Sequence, residues 1–484
     1  MAHGYRNWSP EQIALLPVNP RDWLDEDHLA FALLETVGQL DLKGLRMHRS
    51  LDGRGCAGYD PIMMTTLVLY GLLYQCVSSR GMARFFRNDL GARFLCGAAG
   101  VPEYRCIAIF RKNNQAVLAP LFAQSVYLCR EADLIEPKVV HIDGSKFEAN
   151  ASTGKNVRYD KVDSKLAALE LQFQELLAEA DRLDEIEDEQ EPPQDAQSRA
   201  KRLRERKERL IQAKGAMEDA ARQAKSKWDA TPSCERHHKD APSGQPKPTD
   251  RANLTDLDSR LMKLANGGFA QAYNANIAVE ASHQIIVGAS LSTDCTDYAQ
   301  LEPTLDSVEQ TLGVRPNTVA ADGGYLSQHN ITLLENRSIE AIISPNRKLP
   351  PLDGATMPDE PESASDAQPV NCARADSAAR QKMNQVFSTP AGRAIYAKRK
   401  YTVEPVFGQM KGSLGHPGMT GFLVRGFDNC RNHWLLACAV HNLGKLIRHK
   451  CKQKDTTDKG RLKRARASRN LVQTAHLVLD MVPS

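Results

Sequence analysis

Three acidic residues stand where a short element begins or ends. Asp143 follows the β-branched run Lys138–Ile142, Asp322 follows Asn317–Ala321, and Glu404 comes just before Pro405. Strand ends and helix starts are rigid places from which a side chain can be aimed. Carboxylates held this way are hard oxygen ligands of the kind magnesium takes at near-octahedral geometry. Two such ions about 3.5–4 Å apart can activate an attacking oxygen and stabilise a leaving one at phosphorus. One bridging carboxylate and one more for each ion is a minimal set. Singly, each residue also has a bland reading. Asp143-Gly144 and Asp322-Gly323-Gly324 read as turn chemistry, and a glutamate before a helix reads as a cap or a solvated charge.

The elements that must position these residues follow from periodicity. Residues 1 to about 135 read as helices. Asp60-Pro61 is a helix start, and the following IMMTTLVLYGLLYQC is apolar nearly all round, which predicts a buried helix. Ser78-Ser79 offers the next start, and two further helices fit Tyr104 to Asn114 and Ala116 to Ala132. With Arg80, Arg84, Arg87 and Arg111 among them, these helices form either a helix-turn-helix-like DNA module or a plain bundle with surface arginines. A strand ending at Asp143 comes next. Val162 to Trp228 then turns helical and charge-rich, broken at Glu191-Pro192-Pro193, which predicts an antiparallel helical hairpin. Its expected seam is Leu169, Leu176 and Leu177 against Leu203 and Leu210. Acidic Glu170, Glu175, Glu179 and Asp181 would then face basic Arg202, Arg204, Arg206 and Arg209.

Residues 229 to 254 read as a loop. Strands are expected at Phe269 to Val279, Gln284 to Ser290, Asn317 to Ala321 and Glu340 to Ser344, with helices at Asp297 to Leu312 and Ser327 to Glu335. Residues 346 to 385, rich in Pro, Asp, Ser and Ala, read as a mobile insertion, and 386 to 447 as largely helical. Apart from the hairpin, the order is three strands, helix, strand, helix, strand, helix. A meander of three strands followed by helical crossovers is the RNase H-like order. Because proline suits the first helical turn and disfavours helix before it, Glu404 is expected at a helix start or kink. Lys411 would then lie about two turns, roughly 10 Å, further along on nearly the same face, where a phosphate could meet it.

With 484 residues the chain predicts two or three units, and its hydrophobic and charged fractions are those of an ordinary globular protein. No apolar run is long enough to span a membrane, and Met1 to Pro20 lacks a signal core, so the expectation is a cytoplasmic, nucleoid-associated protein. Eleven scattered cysteines suit a reducing compartment. A net charge of +4 does not announce a DNA binder. Basic residues do cluster at Arg199 to Arg209, Arg393 to Lys400 and Arg448 to Arg469, either as phosphate-binding patches or as solvated faces. Cys234 with His237 and His238 hints at metal ligands but lacks the second pair of a zinc finger. His141 shares a strand face with Asp143, either tuning it or simply packed. No Gly-rich nucleotide loop is present.

HIDGSKFEANAS around Asp143, TVAADGGY around Asp322 and YAKRKYTVEPVFGQMKG around Glu404 resemble the three catalytic blocks of DDE-type transposases of bacterial insertion sequences, in the family's order. The nearest resemblance is to the group whose third block carries the YREK signature. TDLDSRLM, GGFAQAYNANIAVE and HNLGKLIR resemble the family as well. Glu404 and Lys411 keep the family's six intervening residues. The arginine slot, however, holds Lys400 and the tyrosine slot Ala397, with Arg399 and Tyr396 one place upstream.

The resemblance implies an α/β chain. It comprises a helical N-terminal DNA-binding domain (1–135), an RNase H-like catalytic domain (136–447, with insertions 160–254 and 346–385) and a basic tail (448–484). It implies Asp143, Asp322 and Glu404 as catalytic and metal-binding residues for two Mg²⁺ ions, with Mn²⁺ as a substitute. Lys411, Arg399, Lys400 and Arg425 are the expected DNA contacts. The implied partners are the element's terminal inverted repeats, target DNA and a second copy of the chain. The implied reaction is cleavage at the element ends, in which a metal-activated water releases a 3′-hydroxyl. That hydroxyl then attacks target DNA in line. A decayed transposase that only binds DNA, and a nuclease that cuts without joining, remain the alternatives.

Overall fold

Asp60 and Ser78 do start helices. The Asp60 carboxylate accepts the backbone N–H groups of Ile62 and Met63, and the Ser78 hydroxyl accepts that of Gly81. The structure is a computed structural model that describes residues 20–45, 58–184, 194–230, 240–345, 376–412 and 419–479. Cys234, His237, His238, Glu191 to Pro193 and residues 346–375 lie outside the described residues. The chain divides into two units, residues 1–128 with 439–484, and residues 129–438.

The first unit is helical: α1 (Leu29–Val37), α2 (Pro61–Leu73), α3 (Ser79–Asn88), α4 (Leu90–Cys96), α5 (Tyr104–Asn113), α6 (Gln115–Leu118) and most of α7 (Leu121–Glu131). The stretch expected as one helix from Ala116 is split before Leu121, since Pro120 supplies no N–H to carry the ladder on. Met64, Leu67, Val68, Leu69 and Tyr70 bury almost every side of α2. The Tyr70 hydroxyl donates to Asp89, which also caps α4 at Ala92. Arg111 is not a surface arginine. Its guanidinium donates to the Val77 carbonyl at 2.7 Å, and burial draws its pKa down to about 10. Arg80 stacks over Tyr104 and Arg87 pairs with Glu103 at 2.8 Å, while Arg84 is exposed.

The second unit opens with β1 (Val139–Glu148) and β2 (Asn156–Arg158), then sends out α8 (Val162–Asp184) and α9 (Gln194–Ala230). The chain re-enters through β3 (Arg251–Asn253), which pairs antiparallel with β2. Val157, Val162, Leu169, Leu210, Ala213, Met217 and Ala252 form one buried cluster, with Leu203 packed against it. Leu176 is buried too, but Leu177 is exposed, one position round the helix from the seam. The charge pairing across the arms uses lysines: Lys207 meets Glu170, and Lys214 meets Asp163 at 2.7 Å. The expected arginines are exposed, and Arg204 lies over the Phe173 ring of the facing arm.

Next come β4 (Arg260–Lys263), β5 (Phe269–Glu280), β6 (Ile286–Ser292), α10 (Leu301–Leu312), β7 (Thr318–Ala321), α11 (Gln328–Asn336), β8 (Glu340–Ile343), α12 (Asp376–Ser388), α13 (Pro390–Lys411) and α14 (Phe427–Leu479). The sheet is mixed. It runs β4-β5-β1-β7-β8, with β6 also on β5; β1 is antiparallel to β5 and parallel to β7, and β7 is parallel to β8. Residues 376–385, expected in the insertion, are instead the start of α12. Ala379, Met383 and Phe387 recur every fourth residue and are fully buried, a helical stripe hidden among polar neighbours. The α14 helix is continuous through the segment expected as a separate short helix near Leu471.

The α10 helix sits tightly on β6. A Cβ at Gly288 would lie 2.4 Å from Val308 Cγ2 and 2.8 Å from the Thr304 carbonyl. Gly288→Ala is therefore expected to lift α10 and lower stability by about 1–3 kcal/mol, measured by urea unfolding of the whole chain. On the opposite face, Phe387 of α12 and Tyr396 of α13 cover Ala320 and Ile342. Phe147 of β1 meets Trp434 of α14 and Phe407 of α13, ring centroids 4.9 and 6.3 Å away, which fixes α13 along β1.

Candidate active site

Asp143 is not at a strand end. The β1 strand runs on to Glu148 because β5 pairs with it from Val140 to Glu148, whereas β7 pairs only as far as Ile142. The parallel register joins Ile142 to Ala321, so the next residue on each strand is an aspartate, Asp143 beside Asp322. Neighbouring strands stand about 4.8 Å apart. Asp322 ends β7 as expected and caps the following turn by accepting the Gly324 N–H at 2.9 Å. Burial pushes the Asp143 carboxyl up to about 6; Arg399 pulls against the rise, and Asp322 and Asp297 add to it. Asp322 is raised as well, by burial above all. Two half-hidden carboxylates side by side leave a deficit of positive charge.

Glu404 lies mid-helix, not at a helix start. Thr389 caps α13, Pro390 occupies its first turn, and Pro405 sits inside it. A proline within a helix leaves the carbonyl four residues back without its donor. Here that carbonyl belongs to Tyr401, and Gln284, in the turn between β5 and β6, donates its side-chain amide to it at 2.8 Å. A contact distant in sequence thus satisfies the acceptor that Pro405 frees.

Arg399 links the two sets. Its guanidinium is 3.0 Å from Asp143 Oδ2 and 3.6 Å from Glu404 Oε1, with the arginine side chain only 13% exposed. Burial opposes its charge, yet Asp143, Tyr396, Asp322 and Glu404 together raise its pKa. Lys400, which holds the family's arginine slot, is exposed, and Tyr396 stacks its ring edge on Phe387 with Arg399 above it. Arg399, with Tyr396 packed beneath it, rather than Lys400 faces the carboxylates. In the metal-free protein, Arg399→Ala is expected to move the titration of Asp143 further up from about 6, and Lys400→Ala to leave it in place. Carbon-13 resonances of labelled aspartate carboxyls, followed against pH, read this directly.

Lys411 reaches β1. Its ammonium donates to Ser145 Oγ at 2.6 Å and lies 4.8 Å from the Phe147 ring centre, and burial lowers its pKa. Ser145 and Asp143 are on one strand face, so α13 places Arg399 and Lys411 along the same line of β1. Arg425 lies apart: it donates to the Asn150 carbonyl and, with Arg209, Asp256 and Asp258, lines a cavity of about 330 Å³. His141 is fully buried, neither ring nitrogen has a hydrogen-bond partner among the described residues, and burial draws it down to about 4, so it is neutral.

The sequence reading missed a fourth carboxylate. Asp297 was expected within a helix, but α10 begins only at Leu301, and Asp297 stands in the preceding loop. It accepts from Lys146 at 2.9 Å and from Asn274 at 2.7 Å.

Residues 362–447 match the family described as transposase DDE domain, and residues 18–113 match the one described as transposase domain DUF772. The two matches indicate a DDE-type transposase of insertion-sequence type. Glu404, Arg399 and Lys411 fall inside the first match, while Asp143 and Asp322 fall outside both. No curated protein and no solved structure matches this chain.

A family of this kind implies a divalent cation. Among the described residues, no three His, Cys, Asp or Glu side chains stand close enough together to hold one ion. Glu404 is turned towards the Arg399 guanidinium, which itself contacts Asp143. The donors nonetheless fit a hard cation: all are carboxylate oxygens, two are half-buried at raised pKa, and the site already draws in a positive group. No helix among the described residues is long and apolar enough to cross a membrane.

Proposed function

We propose that this transposase cleaves DNA at the ends of its element and joins them to target DNA, using Asp143, Asp322 and Glu404 as its catalytic carboxylates. The observation that carries this reading is the Ile142–Ala321 register, which sets the two aspartates side by side under α13. The strand order supports an RNase H-like domain: β1, β5 and β6 pair antiparallel in turn, β4 adds to β5, and β7 and β8 run parallel to β1. The third block supports placement in the YREK group, with Arg399 filling the arginine role one position early.

Asp143, Asp322 and Glu404 would hold two Mg²⁺ ions, or Mn²⁺ in their place, which when bound supply an activated water and charge stabilisation at the leaving oxygen. Arg399 keeps Asp143 and Glu404 drawn together and offers its guanidinium to a DNA phosphate once the carboxylates are otherwise neutralised. Lys411, held against Ser145, places a second positive charge on the same strand line. Lys400, exposed beside them, and Arg425 extend the basic surface for DNA. Handling two ends together calls for a homodimer in the DNA complex.

A duplex ending in the inverted repeats that flank the coding region tests the reading. With Mg²⁺ the protein is expected to nick the repeat to a free 3′-hydroxyl and to transfer that end to a second duplex. Nicking without joined product would make it a nuclease, and binding without nicking would make it a decayed transposase.

A further inference from the structure

Asp143 is followed by Gly144 and Asp322 by Gly323-Gly324, and the structure gives Gly144 a purpose other than turning the chain. Gly144 is inside β1, paired with Asn276. A Cβ there would lie 2.7 Å from Asp297 Oδ1 and 2.7 Å from Asn276 Oδ1. At Gly324 a Cβ would lie 3.0 Å from Asp322 Oδ1 and 3.8 Å from Asp297 Oδ2. The Asp297 carboxylate therefore lies against the backbone behind Asp143 and within reach of the turn after Asp322.

Asp297 is held there from several sides. Lys146 and Asn274, partners across the β1–β5 ladder, both donate to its Oδ1. Asn276 accepts from the buried Tyr325 hydroxyl at 2.7 Å, which ties the turn after Asp322 into the same group. Strand alternation puts Gly144 and Lys146 on the face opposite Asp143 and Ser145. Arg399 and Lys411 thus serve the front of the site, and Asp297 with Lys146 backs it. The Lys146–Asp297 pair is mostly buried, with side chains 16% and 24% exposed.

We propose that Asp297, clamped by Lys146 and Asn274, is a positioning residue of the carboxylate site. It seats the backbone behind Asp143 and Asp322 and sets a fixed negative charge at their backs. This rests on the reading of those two aspartates as cation ligands. The electrostatics agree, since Asp297 raises the carboxyls of both. Groups behind metal ligands typically change metal affinity or activity by about 10–100-fold when removed.

The test uses the full-length, metal-free protein and Mn²⁺ as probe, with binding read by calorimetry and folding by thermal melting. Asp297→Asn keeps the shape and removes the charge. It is expected to weaken Mn²⁺ binding by about tenfold or more. The Mg²⁺ needed for half-maximal nicking should rise in step, while the gel shift of repeat DNA stays as in the wild type. Unchanged Mn²⁺ affinity and unchanged Mg²⁺ dependence overturn the proposal. If Asp297→Asn does not fold, the pair Lys146→Met with Asp297→Asn removes both charges together and leaves neither unpaired. The same two readouts then decide. Asp143→Asn runs alongside. If it keeps Mn²⁺ binding and nicking, the reading of the site itself falls; if it loses them while the Asp297 variants do not, only this inference falls.

Discussion

Asp143→Asn is expected to lower nicking by at least about a thousandfold while leaving DNA binding unchanged. The substitution keeps the side chain's shape under Arg399 and removes one ligand charge. Cation stabilisation of a phosphoryl transition state is worth several kcal/mol, and about 4 kcal/mol corresponds to three orders of magnitude in rate. The strand is not disturbed, because β1 is held by β5 along its whole length from Val140. Nicking with Mg²⁺ and a gel shift on the same repeat duplex separate the two activities. Nicking at the wild-type rate would remove Asp143 from the chemistry.

The same carboxyl should make the metal-free protein less stable at neutral pH than in mild acid. Its ordinary value of 3.8 rises to about 6 in the fold. A raised carboxyl gives the native state more bound protons between those values, so its contribution is fully present below 3.8 and lost as pH rises through about 6. The difference corresponds to about 3 kcal/mol. Asp322, shifted the same way, adds to it. Lowering the pH from 7.5 to 5, about one unit below the folded value, recovers about 1.4 kcal/mol from Asp143 and is therefore expected to raise the melting temperature of the protein by roughly 2–4 °C. Added Mg²⁺ at pH 7.5 should do the same, by binding only the folded, ionised site. In Asp143→Asn the pH effect should shrink and the metal effect should vanish. A melting temperature flat between pH 5 and 7.5 would contradict the burial of this charge.

Much of this arrangement is legible along the chain because it is written locally. Asp60 and Ser78 declare helices through their own side chains, and the run before Asp322 shows its strand by composition. What escaped depends on residues far apart. Pro405 reads as a helix start until Gln284, more than a hundred residues earlier, takes the carbonyl that proline leaves bare. Asp143-Gly144 reads as a turn until Asp297 fills the space a side chain would need. Counting residues favours Lys400 for the arginine slot. Five residues put Arg399 about 140° round an ideal helix from Glu404, yet its long side chain still reaches both carboxylates. The short strands β2, β3 and β4 carry too few apolar residues to announce themselves, and only their pairing shows them.

The pairing of β2 with β3 bears on how such a chain can change over time. Arg158 and Arg251 are direct partners, so everything from Tyr159 to Asp250 leaves and returns through a clasp three residues deep. The entropy of closing a long loop rises only with the logarithm of its length, by about 0.6 kcal/mol for each doubling. Lengthening, shortening or exchanging the arms beyond the clasp therefore disturbs the sheet little, provided Val157 and Ala252 keep their packing. The clasp is a splice point, where other arms can be grafted without the strands having to be relearned.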